Sequence, residues 1–217
     1  MDTWNVIREA LPYLLHGLYM TVIISIVSNV IALFIGLVAG FMRMSSNRVL
    51  RFVASSYVNV IRGTPLLIQI LFIYFGLPSV LGIKLSALTA GIIAVSLNIG
   101  AYMTEIFRGG IQSIEKGQME AGRSLGFSHG QTMALIILPQ AVRRMIPAFV
   151  NQFTHAIKDT SMLSVIGIAE LTMEGQSIYA MNFRAFEILS VVGLFYFVTI
   201  YAVSYISARL ERRFSIS

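Results

Sequence analysis

The sequence predicts an all-α integral membrane protein with five membrane-spanning helices, and three observations predict it. Of the 217 residues, 56% are hydrophobic and only 12% are charged. The mean hydropathy is +0.77. Apolar runs long enough to cross a bilayer alternate with short clusters of arginine and lysine. A soluble domain of this length needs far more charge to coat its surface. Composition also excludes chemistry. There is no cysteine, hence no disulfide or thiol reaction, and His16, His129 and His155 lack ligand spacing, so no metal site is expected. The net charge of +6 suits nucleic acid in a soluble protein, but in a membrane chain it marks arginines on cytoplasmic loops, and no nucleic-acid partner is expected.

The elements follow in order, each needing about 20 apolar residues to cross. No charge interrupts Ala10 to Met42, which places the first helix at about residues 14–41. The second covers about 52–77 and carries Arg62 inside it; the third covers about 85–107, between Lys84 and Arg108. The fourth and fifth cover about 138–157 and 186–207. The opening MDTWNVIREALP lacks a basic leader and precedes an apolar run too long for a signal peptide, so it is expected to be retained. With no repeat and no linker, residues 1–217 read as one transmembrane domain.

Orientation follows from the basic residues. Arg43, Arg48 and Arg51 lie between helices one and two. Arg108, Lys116 and Arg123 lie between three and four with Arg143 and Arg144 close behind, and Arg209, Arg212 and Arg213 close the chain. The other side holds only Arg8, Lys84 and Arg184. By the positive-inside rule the N-terminus is outside and the C-terminus cytoplasmic. Between helices four and five, residues 160–183 are apolar yet too interrupted by Gly167, Glu170 and Gly175 to span. Such a segment either lies in the interface as an amphipathic helix or packs into protein as a gate.

Polar residues inside the spans are costly in hydrocarbon and point to a path. Arg62 falls about 11 residues into the second helix, near mid-membrane, where an unpartnered arginine costs on the order of 2.5 kcal/mol or more. Gly63, Thr64 and Pro65 follow, and the proline is expected to bend the helix. Asn98, Ala101, Tyr102 and Glu105 share one helical face, although Arg108 one turn on could simply neutralise Glu105. Asn151, His155 and Asp159 share another, with Lys158 adjacent and able to pair with Asp159. Five helices leave little room for a pore, so a polar path between two chains implies a dimer. Gly36 and Gly40 form a GxxxG pair and Gly91 is a further small position, all suited to close helix approach.

The cytoplasmic loop, about 112–137, carries EAGRSLG at 120–126. Gly117 reads as the end of whatever follows the third helix. Glu120 to Leu125 then forms under two helical turns, closed by Gly126 at the left-handed position. Ser128 starts the next helix with Gln131 as capping-box partner. So short a helix is unstable alone and is expected to dock in a partner's groove, with Ala121 and Gly122 permitting close approach and Leu125 and Phe127 as apolar anchors.

EAGRSLGFSHGQTMALIILP (120–139) resembles the EAA signature of binding-protein-dependent ABC importer permeases, with Glu120, Ala121, Gly126, Ile136, Leu138 and Pro139 in register and Gly122 in place of the second alanine. VIRGTPLLIQILFIYF (60–75), NIGAYMTEIFRGGIQSI (98–114) and IKDTSMLSVIGIAEL (157–171) resemble the polar amino-acid branch, and NFRAFEI with LERR is similar to its glutamine permeases. The resemblance covers nearly the whole length. It implies the type I importer permease fold and a pair of such chains in a bacterial inner membrane. It also implies an EAA helix that couples to a cytoplasmic ATP-binding cassette subunit, and an extracytoplasmic binding protein that delivers the amino acid. ATP and Mg would sit on the partner ATPase. This chain has no Gly-x4-Gly-Lys-Ser/Thr loop and is expected to bind no cofactor and to catalyse nothing itself. Glu120, Ala121, Gly122, Leu125 and Gly126 are then the coupling residues, and Arg62, Thr64, Asn98, Tyr102, Glu105, Lys158 and Asp159 the candidates for the solute path. The residues alone also fit an ion-coupled transporter using Arg62, Glu105 and Asp159, or a non-transporting receptor subunit. An intramembrane enzyme built on Ser161, Ser164 and His155 would lack any supporting motif.

Overall fold

The computed structural model describes the backbone of residues 3–214 and side chains through Arg209. The side chains of LERR at 210–213, and with them the closing charges Arg212 and Arg213, lie outside the described residues. Among the described residues eight helical segments follow in order. They are α1 (Thr3–Met44), α2 (Arg48–Arg62), α3 (Leu66–Leu81), α4 (Ala87–Gln112), α5 (Lys116–Ser124), α6 (His129–Ile166), α7 (Leu171–Asn182) and α8 (Ala185–Phe214). By length and apolarity α1, α4, α6 and α8 can each cross a membrane alone, and α2 with α3 makes a fifth crossing only as a pair bent by 108°.

A bend at Pro65 is expected, but it is sharp enough to divide the expected single helix over 52–77 into two. Proline at 65 disfavours helical backbone at the residue before it and removes a donor, so α2 ends at Arg62 and Pro65 caps the start of α3 in extended backbone. The carbonyls left at the end of α2 cannot be satisfied by lipid. The Thr64 hydroxyl donates to the Val60 carbonyl (2.8 Å) and the Gln69 amide donates to the Ile61 carbonyl (2.7 Å) and to the Thr64 carbonyl (3.1 Å). The break is thus a built turn rather than a kink. The other spans run longer than expected. α1 starts at Thr3 rather than 14, and α6 runs unbroken from His129, through a π-helical turn at Met133–Ile137, to a final 3-10 stretch at Thr160–Ile166.

The core is the α1–α4 pair. A Cβ at Gly36 would lie 2.6 Å from Met103 Cβ, one at Gly40 would lie 3.3 Å from Phe107 Cβ, and Gly100 admits Ile35 at 2.8 Å. The GxxxG pair is therefore used inside the chain. Both numberings rise together, so α1 and α4 are parallel and α2–α3 must carry the chain back between them. Around this seam Ile24, Ile70, Ala94, Val95, Ile99 and Leu163 pack in one cluster. A second cluster of Val6, Ala10, Leu14, Leu171, Ile188 and Val192 joins the first third of α1 to α7 and α8.

The 160–183 segment does not lie on the surface as an amphipathic helix. Leu163, Ile166, Ile168, Glu170 and Leu171 are buried, and Gly167 turns the chain with φ of +79°. Gly91 of α4 lies under this turn, where an added Cβ would meet Ile168 Cδ1 at 2.8 Å. The Leu171 amide donates to the Thr21 hydroxyl of α1 (3.2 Å), and the Glu170 carboxylate caps α7 by accepting from the Thr172 and Met173 amides (2.9 and 2.7 Å) and from the Tyr196 hydroxyl (2.9 Å).

Candidate functional site: a membrane cavity and an exposed lever

The break between α2 and α3 faces α4 and the second half of α6. Together they enclose a cavity of about 440 Å³ lined by Thr64, Pro65, Leu66, Asn98, Tyr102, Gln152, His155 and Asp159. Each side chain is there for a local reason. Thr64 is held at the break by its bond to Val60. Asn98 is buried, with its amide donating to the Gln69 side-chain oxygen at 2.9 Å. His155 and Asp159 stand one turn apart on α6. Four of the seven expected path residues, Thr64, Asn98, Tyr102 and Asp159, are thus brought together from three elements. The cavity offers one carboxylate, neutral amides, an imidazole, and threonine and tyrosine hydroxyls, and among the described residues no guanidinium or ammonium lines it. Such a set can take the ammonium of a zwitterion at Asp159 and share its remaining hydrogen bonds among neutral groups.

The other three stand elsewhere. Arg62 and Glu105 form an ionic cluster beside the cavity. Glu105, mostly buried, pairs with Arg43 of α1, with Arg108 (2.7 Å) and with Arg62 (3.7 Å), and the Arg108 guanidinium also donates to the Gln112 side chain (2.7 Å). Arg62 lies over the Tyr102 ring, 5.2 Å from its centre, so one aromatic side chain is both cavity wall and cation platform. Pairing with Arg108 is the expected contact; Arg43, which in sequence reads only as a loop charge, is the partner that ties α1 to α4. Lys158 is exposed, and among the described residues no salt bridge joins it to Asp159.

Sequence reasoning misses Gln69, Gln152 and Arg43. Asn151, named instead of Gln152, does not line the cavity, and its carbonyl accepts from Thr154 (2.8 Å). The spacing 152, 155, 159 is itself helical, so Gln152 shares in sequence the face that carries His155 and Asp159. Gln69 gives only a weak signal, a single amide in an apolar run.

On the loop, α5 starts at Lys116, four residues before Glu120 and with Gly117 inside it rather than ending the preceding element. Its end is as expected. Gly126 takes φ of +88°, its amide donates to the Arg123 carbonyl (3.1 Å), and the Phe127 amide donates to the Gly122 carbonyl (3.2 Å), a Schellman close. Ser128 and Gln131 form the capping box that starts α6. Glu120, Ala121, Leu125 and Phe127 are exposed, Leu125 at 76%. Gly122 is not. It turns inward, where a Cβ would sit 2.5 Å from Thr132 Cγ2 and 2.9 Å from its hydroxyl, so its small size serves contact with α6 rather than with a partner. Gln140 donates to Gln118 (3.3 Å), and Arg144 donates to the Ser113 carbonyl. The lever is therefore fastened to the base of α6 at Gly122 and Gln118, as is the end of α4 just before it at Ser113, while the other end of α6 carries His155 and Asp159.

Comparison with known proteins fits this geometry. The chain is 46% identical to the glutamine transport system permease protein GlnP of Escherichia coli (strain K12), over 98% of both chains. It is 36% identical to the arginine transport system permease protein ArtQ of Bacillus subtilis (strain 168), over 94% of this chain and 93% of that one. A crystal structure of an amino-acid ABC transporter with histidines superposes with a TM-score of 0.93 at 39% identity, covering 98% of this chain and 99% of that one. Residues 32–216 match the family described as binding-protein-dependent transport system inner membrane component, and the chain belongs to that family.

Proposed function

We propose that this chain carries a polar amino acid, glutamine foremost, through the cavity between α3, α4 and α6. The chain is a translocation subunit of an ATP-driven amino-acid importer. The observation that carries the finer reading is the cavity itself: four independently expected residues on three elements converge on one space whose single fixed charge is Asp159. Glutamine is favoured because the relative with 46% identity transports it by name, whereas the arginine permease stands at 36%. In this reading the chain works beside a second copy or a paralogue, with the N-terminus outside and the α5 end in the cytoplasm. A binding protein releases solute into the outward-open state. A cytoplasmic ATPase, holding ATP and Mg²⁺, docks on Glu120, Ala121 and Leu125. Closure of two ATPases moves both levers together. Because α5 is fastened to α6, the cavity wall at Gln152, His155 and Asp159 moves with it, giving alternating access by rigid-body motion.

The test is the reconstituted transporter in proteoliposomes, with ATPase stimulation read across a panel of amino-acid-loaded binding proteins. Stimulation is expected to be largest with glutamine. Asp159→Asn should lower uptake at least about tenfold while leaving basal hydrolysis in place, the loss of one charge-assisted bond of roughly 1.5–3 kcal/mol. Uptake unchanged by Asp159→Asn would remove the cavity from the path, and uptake under an ion gradient without ATP would replace the importer reading by an ion-coupled one.

A further inference from the structure

A second cavity, of about 450 Å³, opens between α1, α2 and the middle of α4, away from the proposed solute path. Phe34, Val38, Met42, Val53, Tyr57 and Leu97 line it. The one hydroxyl among them is withdrawn, since Tyr57 donates to the Leu97 carbonyl at 2.6 Å. The walls therefore present carbon alone, and nothing there can hold water. From Phe34 to Met42 the furrow rises about 12 Å along α1, close to the roughly 15 Å depth of one hydrocarbon leaflet. At the end marked by Met42 and Val53 stands the α1–α2 turn with Arg48 and Arg51. Both are exposed, and among the described residues neither is salt-bridged; Arg51 only donates to the Ser45 carbonyl (3.4 Å). Arg43, the cation in the last turn of α1, is committed to Glu105.

From this pairing of a carbon-lined furrow with two unpaired cations at its mouth we infer that the α1–α2 furrow is a binding site for an anionic phospholipid. One acyl chain lies between α1 and α2, and the phosphate sits against Arg48 and Arg51. An acyl chain suits the furrow because it supplies carbon along its whole length and makes no demand for hydrogen bonds. An anionic headgroup suits the mouth because the two arginines are otherwise uncompensated, and each near a lipid phosphate surface adds attraction. A zwitterionic lipid would fill the furrow without answering the charge.

The test is native mass spectrometry of the assembled transporter after exchange into mixed detergent micelles containing equal phosphatidylglycerol and phosphatidylcholine. Wild type should retain phosphatidylglycerol in preference. Arg48→Gln with Arg51→Gln should cut that preference by a factor of about 30, the worth of two such cations. Val53→Trp, at an exposed rim position, should block the furrow and lower retention of both lipids while the assembled complex and its basal ATPase activity persist. Because the chain has no cysteine, Val53→Cys adds a clean probe, whose thiol in a lipid-filled furrow stays unlinked under oxidant. Equal retention of the two lipids by wild type, or a preference untouched by the arginine substitutions, would overturn the assignment. So would a disulfide joining two copies of the Val53→Cys variant, which would give the furrow to a second protein chain.

Discussion

Gly122 shows how one residue can be read correctly for size and wrongly for purpose. The sequence suggests a small side chain there so that a partner can approach, and Ala121 and Glu120 beside it are indeed exposed. Yet the missing Cβ of Gly122 points at Thr132, 2.5 Å from its γ-methyl. Helix spacing alone does not say which face a loop helix turns inward. Gly122→Ala gains about 1 kcal/mol of helix propensity, but forcing a methyl into that contact costs on the order of 1–3 kcal/mol. The single substitution is expected to lower the thermal midpoint of the purified transporter. Adding Thr132→Ser, which removes the offending methyl, should restore it above the single variant. A double variant no more stable than the single one would show that this contact does not limit the packing.

Elements divide into those the pattern reveals and those that it hides. The long apolar runs of α1, α4, α6 and α8 announce themselves, because a bilayer demands about 20 carbon-rich residues and little else does. The α2–α3 pair does not, since both halves are apolar enough to read as one span. Its 108° turn is made tolerable by Thr64 and Gln69, which satisfy the freed carbonyls. The α7 segment is hidden for the opposite reason. Its Glu170 suggests exposure, whereas the carboxylate is fully buried as an N-cap with Tyr196 across from it. Burial pushes this carboxyl above the ordinary carboxylate value, against hydrogen bonds from Thr172, Met173 and Tyr196 that pull it down. A folded-state value above the unfolded one means that the fold prefers the protonated form. The stabilising contribution is complete below the unfolded value of about 4.5 and is lost as pH rises through the folded value. Glu170→Gln keeps an acceptor for only one of the two amides, which now use one carboxylate oxygen each, and it does not titrate. The difference in thermal midpoint, wild type minus variant, should therefore fall as pH is raised from about 5 to about 8. A difference that rises or stays flat would remove burial as the dominant influence.

At the scale of the whole molecule, the proposed transport cycle needs the lever and the cavity to move as one. α6 supplies that stiffness. It runs as one helical rod from the Ser128 cap to Ile166, with α5 fastened at its base and His155 and Asp159 near its far end. Glu120→Lys reverses the charge on an exposed face of α5 that touches none of these fastenings. It is expected to leave folding and membrane insertion intact and to lower solute-stimulated hydrolysis and uptake together by at least about tenfold, measured in proteoliposomes against the wild-type complex. Normal coupled uptake by this variant would detach α5 from the motor.

By itself the sequence determined that this is a helical membrane protein, roughly where its long spans lie, and that a capped helix ending in Gly126 projects from a basic loop. Those properties are local: apolar run length, cap chemistry and a left-handed glycine depend on neighbours in the chain. The tertiary structure alone decided that Gly36 and Gly40 pack against α4 within one chain and that Arg43 reaches Glu105. It also decided that Gln69 braces Asn98 and that Thr64, Tyr102, Gln152 and Asp159 meet around one cavity. These depend on which faces meet across helices that lie far apart in sequence. A polar residue in an apolar run states its cost to the membrane, but only the packed neighbours state which group compensates it.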